Sequence, residues 1–81
     1  MTEQEIEGAA RTLAARPYTI TTEYDAEDGY FVARAEEYPF FAGAEDTPEA
    51  AEVTLREAIA LAIAGDLRDG RPIPEPHGVA A

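Results

Sequence analysis

The acidic residues between positions 25 and 28 are the first in this sequence whose types and spacing could do chemistry. Asp25, Glu27 and Asp28 precede Gly29, and closely spaced carboxylate oxygens are ligands that Ca²⁺ prefers. Their spacing is not that of the six ligands in an EF-hand loop. Aspartate and glycine are also the residues that a tight turn between two strands favours. We therefore predict a turn at this position and no metal site.

Candidates for other catalytic chemistry are few. The sequence contains no Cys, Ser, Lys, Asn or Trp, so it offers no thiol or serine nucleophile, Schiff-base lysine, disulfide or zinc–thiolate cluster. The only histidine, His77, has no base partner near it in the sequence. No apolar pattern marks any two of the 17 acidic residues as an acid–base pair. We expect a binding protein with no catalytic residues, cofactor or metal.

The net charge restricts the kinds of partner. Six basic and 17 acidic residues give a formal charge of −11 at pH 7, which repels nucleic acids and anionic membranes and attracts basic proteins. The longest apolar run, residues 58–64, is too short for a signal sequence or a membrane span. We therefore expect a soluble, cytoplasmic protein that binds neither nucleic acid directly nor membrane.

The length of 81 residues predicts one small domain with a limited core. Leu, Ile, Val and Phe together number only 15, which is low for a strongly charged chain. Either part of the chain is loose or the chain shares a core with another chain. Residues 1–16 are predicted to hold an N-terminal helix, residues 18–76 the core of the domain, and residues 77–81 a flexible tail.

The sequence predicts two helices, one before and one after the strands. Thr2 and Glu5 fit a capping box that starts a helix over residues 3–15. Asp46, Thr47 and Pro48 predict the start of a longer helix over residues 48–68, with either Asp46 or Thr47 as its N-cap. One apolar stripe of this helix is expected to lie on the sheet: Ala51, Leu55, Ala58, Ile59, Ala62, Ile63 and Leu67. A second stripe must meet the N-terminal helix, another subunit or water. It is our candidate for self-association, with an uncovered edge of the sheet as the alternative; its residues are Val53, Ala60, Leu61 and Ala64.

Three strands lie between these helices. Alternating apolar and polar residues predict a strand over residues 18–24, and the turn at Asp25 leads into a second strand over residues 30–35. A corner at residues 36–39 precedes a short third strand over residues 40–44. The elements together predict an α+β domain.

The order of the motifs in this chain resembles the HicB antitoxin-like domain. The motifs that carry the resemblance are residues 18–20 (Tyr-Thr-Ile), 28–33 (Asp-Gly-Tyr-Phe-Val-Ala), 37–39 (Glu-Tyr-Pro), 46–51 (Asp-Thr-Pro-Glu-Ala-Ala), 55–59 (Leu-Arg-Glu-Ala-Ile) and 69–76 (Asp-Gly-Arg-Pro-Ile-Pro-Glu-Pro). The resemblance implies a three-stranded antiparallel meander packed by one long helix, in β-β-β-α order. This is a partial RNase H-like or ferredoxin-like fold that a short fourth strand often closes.

The resemblance also implies a function and a partner. HicB proteins neutralise HicA-like toxins, which are small basic ribonucleases that cut mRNA, by covering the toxin's active surface. An antitoxin that binds a basic HicA-like toxin is therefore the function we expect. Many members also carry a C-terminal DNA-binding domain that has no counterpart here, which leaves autorepression open.

The corner before the third strand departs from the family pattern. Tyr38-Pro39-Phe40-Phe41 stands where the family commonly has Leu-Pro-Gly-Cys. We expect the partner-binding surface here, with Tyr38, Phe40 and Phe41 as apolar anchors and with Glu36, Glu37 and Glu45 as an acidic rim. Alternatively, the three aromatic residues pack in the core.

Two other functions stay open at this point. One is an orphan HicB-like protein, a homodimer or higher homo-oligomer, with a different regulatory partner and no catalysis. The absence of a neighbouring gene for a small basic protein would favour it. The other is a metal-dependent nuclease, which rests on fold analogy alone.

Overall fold

The computed structural model describes residues 1–77 and has two helices and one sheet. In chain order the elements are α1 (Glu3–Ala14), β1 (Ile20–Asp25), β2 (Tyr30–Ala35), β3 (Tyr38–Glu45) and α2 (Pro48–Asp69). The strands form an antiparallel sheet in the order β1-β2-β3. The predicted α+β class and the β-β-β-α order after a short helix are therefore confirmed.

Two strands begin at different residues from those predicted. β1 starts at Ile20, because the N–H of Tyr18 bonds instead to the carbonyl oxygen of Arg16. β3 starts at Tyr38, because Tyr38 already pairs with Ala35 of β2. Residues 71–77 form no fourth strand, and within residues 1–77 β1 and β3 are the edges of the sheet.

Both helices begin where predicted, and of the two candidate caps of α2 the structure uses Thr47 and not Asp46. The Thr2 hydroxyl accepts from the N–H of Glu5 at 3.1 Å, and the Glu5 carboxylate accepts from the N–H of Thr2, which completes the capping box. At the start of α2 the Thr47 hydroxyl accepts from the N–H of Ala50 at 3.1 Å. α2 ends at Asp69 and is capped by Gly70, whose left-handed conformation (φ 68°) suits glycine.

α2 lies between the sheet and α1. α1 packs on α2 and contacts no strand, so the domain has three layers. The predicted sheet-facing stripe supplies the centre of the core, because Ala51, Leu55, Ile59 and Ile63 are fully buried. These four side chains lie at intervals of four residues, so they stay on one face of the helix.

Arg56 of α2 forms hydrogen bonds with the end of α1. One of its terminal nitrogens donates to the carbonyl oxygens of Ala14 and Arg16, each at 2.8 Å, just where α1 ends. A cation at this position satisfies carbonyl groups that the helix leaves unpaired. Neither helix of the described chain is long and apolar enough to cross a membrane.

After α2 the chain turns back as a C-terminal strap, which we define as residues 71–77. The carbonyl oxygen of Pro74 accepts from the Tyr18 hydroxyl at 2.9 Å, and Ile73 packs against the core. The three prolines of this segment exclude a helix. The strap therefore covers the end of the sheet where β1 begins.

Candidate partner-binding surface

Charge is unevenly divided along the chain. Residues 17–55, which form the sheet and the first two turns of α2, contain ten acidic residues and one base, Arg34. The rest of the chain contains seven acidic residues and five arginines. We call these parts the sheet half and the helical half. Nearly all of the net negative charge therefore belongs to the sheet half.

The predicted turn between the first two strands is confirmed. Asp25 Oδ1 accepts from the N–H groups of Glu27 and Asp28 at 3.0 and 3.2 Å, and Gly29 has a φ of 73° that suits glycine. The Tyr30 hydroxyl donates to Asp28 Oδ2 at 3.1 Å, and this carboxylate raises the pKa of the Tyr30 hydroxyl. The carboxylate of Asp25 is thus used to shape the turn.

The sheet register gathers acidic residues at one end of the sheet. Phe31 pairs with Glu45, so the β1–β2 turn, the end of β3 and the start of α2 lie together. We call this the hairpin end, and its acidic residues are Asp25, Glu27, Asp28, Glu45, Asp46 and Glu49. Within residues 1–77 no group of three or more Asp, Glu or His side chains is placed to hold a metal ion.

The outer face of the sheet has no layer over it within the described chain. Ala33 and Gly43 face α2, so their neighbours Val32, Ala42 and Ala44 lie on the opposite face. Ala42 and Ala44 are exposed, and Val32 is half-buried. The same face carries the exposed Arg34 beside Val32 on the central strand, and Thr21 and Glu23 on β1, so this surface mixes small apolar and polar side chains.

The three aromatic residues predicted as anchors have different environments. Phe40 is 94% exposed and lies in a bulge of β3, between the pairings of Tyr38 and Ala42 with β2. Tyr38 is buried, with its ring edge-on to Tyr18 at 5.4 Å and tilted against the half-buried Phe41 at 5.9 Å. The structure thus places Tyr38 in the core, as the alternative predicted, and leaves Phe40 exposed to solvent.

The Tyr38 hydroxyl is buried and has no hydrogen-bond partner among the described residues. Burial raises the pKa of this hydroxyl far above its usual value, and the neighbouring Tyr18 adds to the effect. A buried polar atom without a partner lowers stability.

Glu37 is buried and does not belong to an acidic rim. Its carboxylate accepts from the N–H and hydroxyl of Thr19 at 3.0 Å and from the N–H of His77 at 2.7 Å. Burial raises the pKa of Glu37, but these hydrogen bonds together lower it further, to below its usual value. Glu37 therefore joins the β2–β3 turn to the start of β1 and to the strap.

The remaining rim residues are exposed. Glu36 Oε1 lies 3.0 Å from Nδ1 of His77, and Glu45 accepts from the Thr54 hydroxyl at 2.9 Å. His77 was predicted to begin a flexible tail, but its backbone and ring are both hydrogen-bonded. The other residues of that predicted tail, 78–81, lie outside the described chain.

The four residues predicted for self-association are only partly covered by α1. Ala64 is buried and Ala60 half-buried, and both line a groove with Ala10 and Ala14 of α1. Leu61 is 77% exposed and Val53 is 57% exposed. The N-terminal helix therefore accounts for the two alanines and leaves the two larger side chains in solvent.

Sequence reasoning missed two features of these surfaces. It did not find the division of charge, although counting charges along the chain shows it. It also missed the roles of Glu37 and Arg56, whose partners lie 18 or more residues away in the chain, so no local pattern signals them.

A comparison with protein-family models, curated proteins and solved structures finds no match to this chain.

Proposed function

We propose that this chain is an antitoxin-type binding module, HicB-like in kind, whose sheet half covers a small basic protein such as a HicA-like ribonuclease. The observation that carries the proposal is the division of charge, with ten acidic residues and one arginine in residues 17–55. A basic protein is attracted to such a surface, and complementary charge speeds its association. The β-β-β-α order agrees with the fold that the resemblance implies.

The outer face of the sheet is the proposed contact area. Phe40 stands at one end of it, and the hairpin end supplies acidic residues about 15 Å away along the strands. Between them lie Val32, Ala42 and Ala44, together with Arg34, the one base of the sheet half. An exposed aromatic anchor and a charged rim are usual parts of a protein-binding surface.

Co-expression with a small basic protein encoded beside its gene tests the proposal. We expect a complex by size-exclusion chromatography with light scattering, and loss of that protein's RNA cleavage in the complex. The affinity should fall at least tenfold between 50 and 300 mM NaCl, because salt screens the attraction between exposed charges. No complex, or cleavage of RNA by this chain itself, would overturn the proposal.

Two matched pairs of variants locate the surface. Phe40→Ala should weaken the complex at least tenfold, whereas Leu61→Ala, at an exposed apolar residue of the helical half, should change it less than twofold. Glu27→Lys should slow association, whereas the same change at Glu75, in the strap, should leave the rate within twofold. Equal effects within either pair would contradict binding through the sheet half.

A further inference from the structure

A groove with a floor of small side chains lies between α1 and α2. It has a volume of about 550 Å³. Four alanines form its floor: Ala10, Ala14, Ala60 and Ala64. Val53, Glu57 and Leu61 follow one another at four-residue intervals along α2 and form one wall, above which Leu61 projects into solvent. The surface thus presents a projecting leucine beside a depression.

The charge around this groove differs from that of the remaining surface. Three of the six arginines of the protein line it: Arg11, Arg56 and Arg68. Only two acidic residues line it, Glu7 and Glu57. Arg56 and Arg68 are paired with Glu52 and Glu3 of the same chain, whereas Arg11 makes no ion pair within residues 1–77. The groove is therefore the region where two acidic chains repel each other least.

We propose that this groove is the surface through which two copies of the chain form a symmetric dimer, with Leu61 of each copy inserted over the alanine floor of the other. A two-fold interface requires one surface to carry both the projection and the depression that receives it. The groove also carries both signs of charge, so Arg11 of one copy can meet Glu57 of the other.

The charged residues around the groove indicate that its occupant is a second copy of the chain. A basic partner is attracted to the sheet half, whereas the charge around the groove is nearly balanced, because its three arginines lie among Glu7, Glu57 and the paired Glu3 and Glu52. A second copy brings the same mixture of signs and keeps the two acidic sheet halves apart. The small number of large apolar residues fits a chain that completes its core with a second copy.

Light scattering on the purified chain tests this proposal independently of the proposed function, because no partner protein is present. We expect a dimer for the wild type at 100 µM and a monomer for Leu61→Glu. Circular dichroism should show that Leu61→Glu stays folded, because Leu61 is exposed in the single chain. Phe40→Glu is the matched control, an equal change at an exposed apolar residue of the sheet half, and should stay dimeric. A monomeric wild type, a dimeric Leu61→Glu or a monomeric Phe40→Glu would each overturn the proposal.

Salt dependence provides a second criterion. Two chains that each carry a charge of −11 repel at long range, so dimerisation should tighten severalfold between 50 and 300 mM NaCl. This is the opposite of the salt effect expected for a basic partner, so the failure of one proposal is distinguishable from the failure of the other. A dimer that dissociates as salt rises would mean that ion pairs hold it together, and would contradict an interface centred on Leu61.

Because the sequence has no cysteine, a spin label can be placed at any single engineered cysteine. Labels at Glu57→Cys should lie closer to each other across the dimer than labels at Ala42→Cys, on the outer face of the sheet. The reverse order of the two distances would place the interface on the sheet and would refute the proposal.

Discussion

The sheet and α2 approach each other closely at Gly43, and Gly43→Ala tests how tight this approach is. A Cβ atom at this position would lie 2.1 Å from the carbonyl oxygen of Ala51 and 2.6 Å from the backbone nitrogen of Leu55. Both atoms belong to the helix backbone, so no side chain can rotate away. The helix would have to move about 1 Å from β3, which forfeits a quarter to a half of the attraction between the separated atoms.

The expected cost is about 3 kcal/mol, the upper end of the range for overpacked cores. For a domain of this size it corresponds to a fall of roughly 15 °C in the melting temperature. Thermal and urea denaturation followed by circular dichroism at one protein concentration would measure it.

Two other glycines provide controls at which alanine should raise the stability of the fold. A Cβ atom added at Gly8 in α1 would meet nothing within 4 Å, and one added at Gly65 in α2 would lie 3.9 Å from its nearest neighbour, a side-chain nitrogen of Arg71. Alanine at either position should raise stability by about 0.5–1 kcal/mol, because glycine costs that much inside a helix. If Gly43→Ala were as stable as the wild type while these two variants behaved as expected, the inferred close packing of α2 on β3 would be wrong.

Three other variants test the internal polar contacts. Glu37→Gln should lower the free energy of unfolding by about 2 kcal/mol at pH 7. Because the folded-state pKa of Glu37 is below its usual 4.5, the difference from the wild type should shrink as the pH falls through that lower pKa. A difference in urea midpoints that does not depend on pH would contradict this prediction. Tyr38→Phe removes the hydroxyl without a partner and should stabilise the fold by about 1 kcal/mol, so a lower melting temperature would mean that the hydroxyl is bonded after all. Arg56→Met keeps the apolar stem but loses two hydrogen bonds to the end of α1, at a cost of about 2 kcal/mol. Hydrogen exchange should then become faster in α1 than in the sheet, and unchanged protection of α1 would refute this role.

Local sequence patterns predicted most of the fold. The two helix starts followed from side-chain oxygens that cap nearby N–H groups, which are contacts within three residues, although the sequence left Asp46 and Thr47 open as the cap of α2. The turn at Asp25 and the buried stripe centred on Leu55 followed from turn chemistry and helical periodicity. The start of β3 was missed because a proline and two phenylalanines sit in a bulge, which the alternation of residues does not signal.

The candidate surface was predicted less well. The aromatic cluster at the β2–β3 corner was found, but the sequence could not separate the buried Tyr38 from the exposed Phe40, because both are aromatic residues beside the same turn. Glu37 looked like a surface acid next to Glu36. Only its three donors, from Thr19 and from His77 in the strap, make burial of its carboxylate favourable.

By itself, the sequence determined the α+β class, the helix caps, the turn residues and the acidic character, because each of these depends on neighbours in the chain or on composition alone. The tertiary structure decided which charges lie together, which apolar residues α1 covers, and that Leu61 and Phe40 stand on opposite halves of the molecule. These features depend on packing between elements that are distant in the chain. No local pattern encodes which of several similar side chains a distant helix or strap will cover.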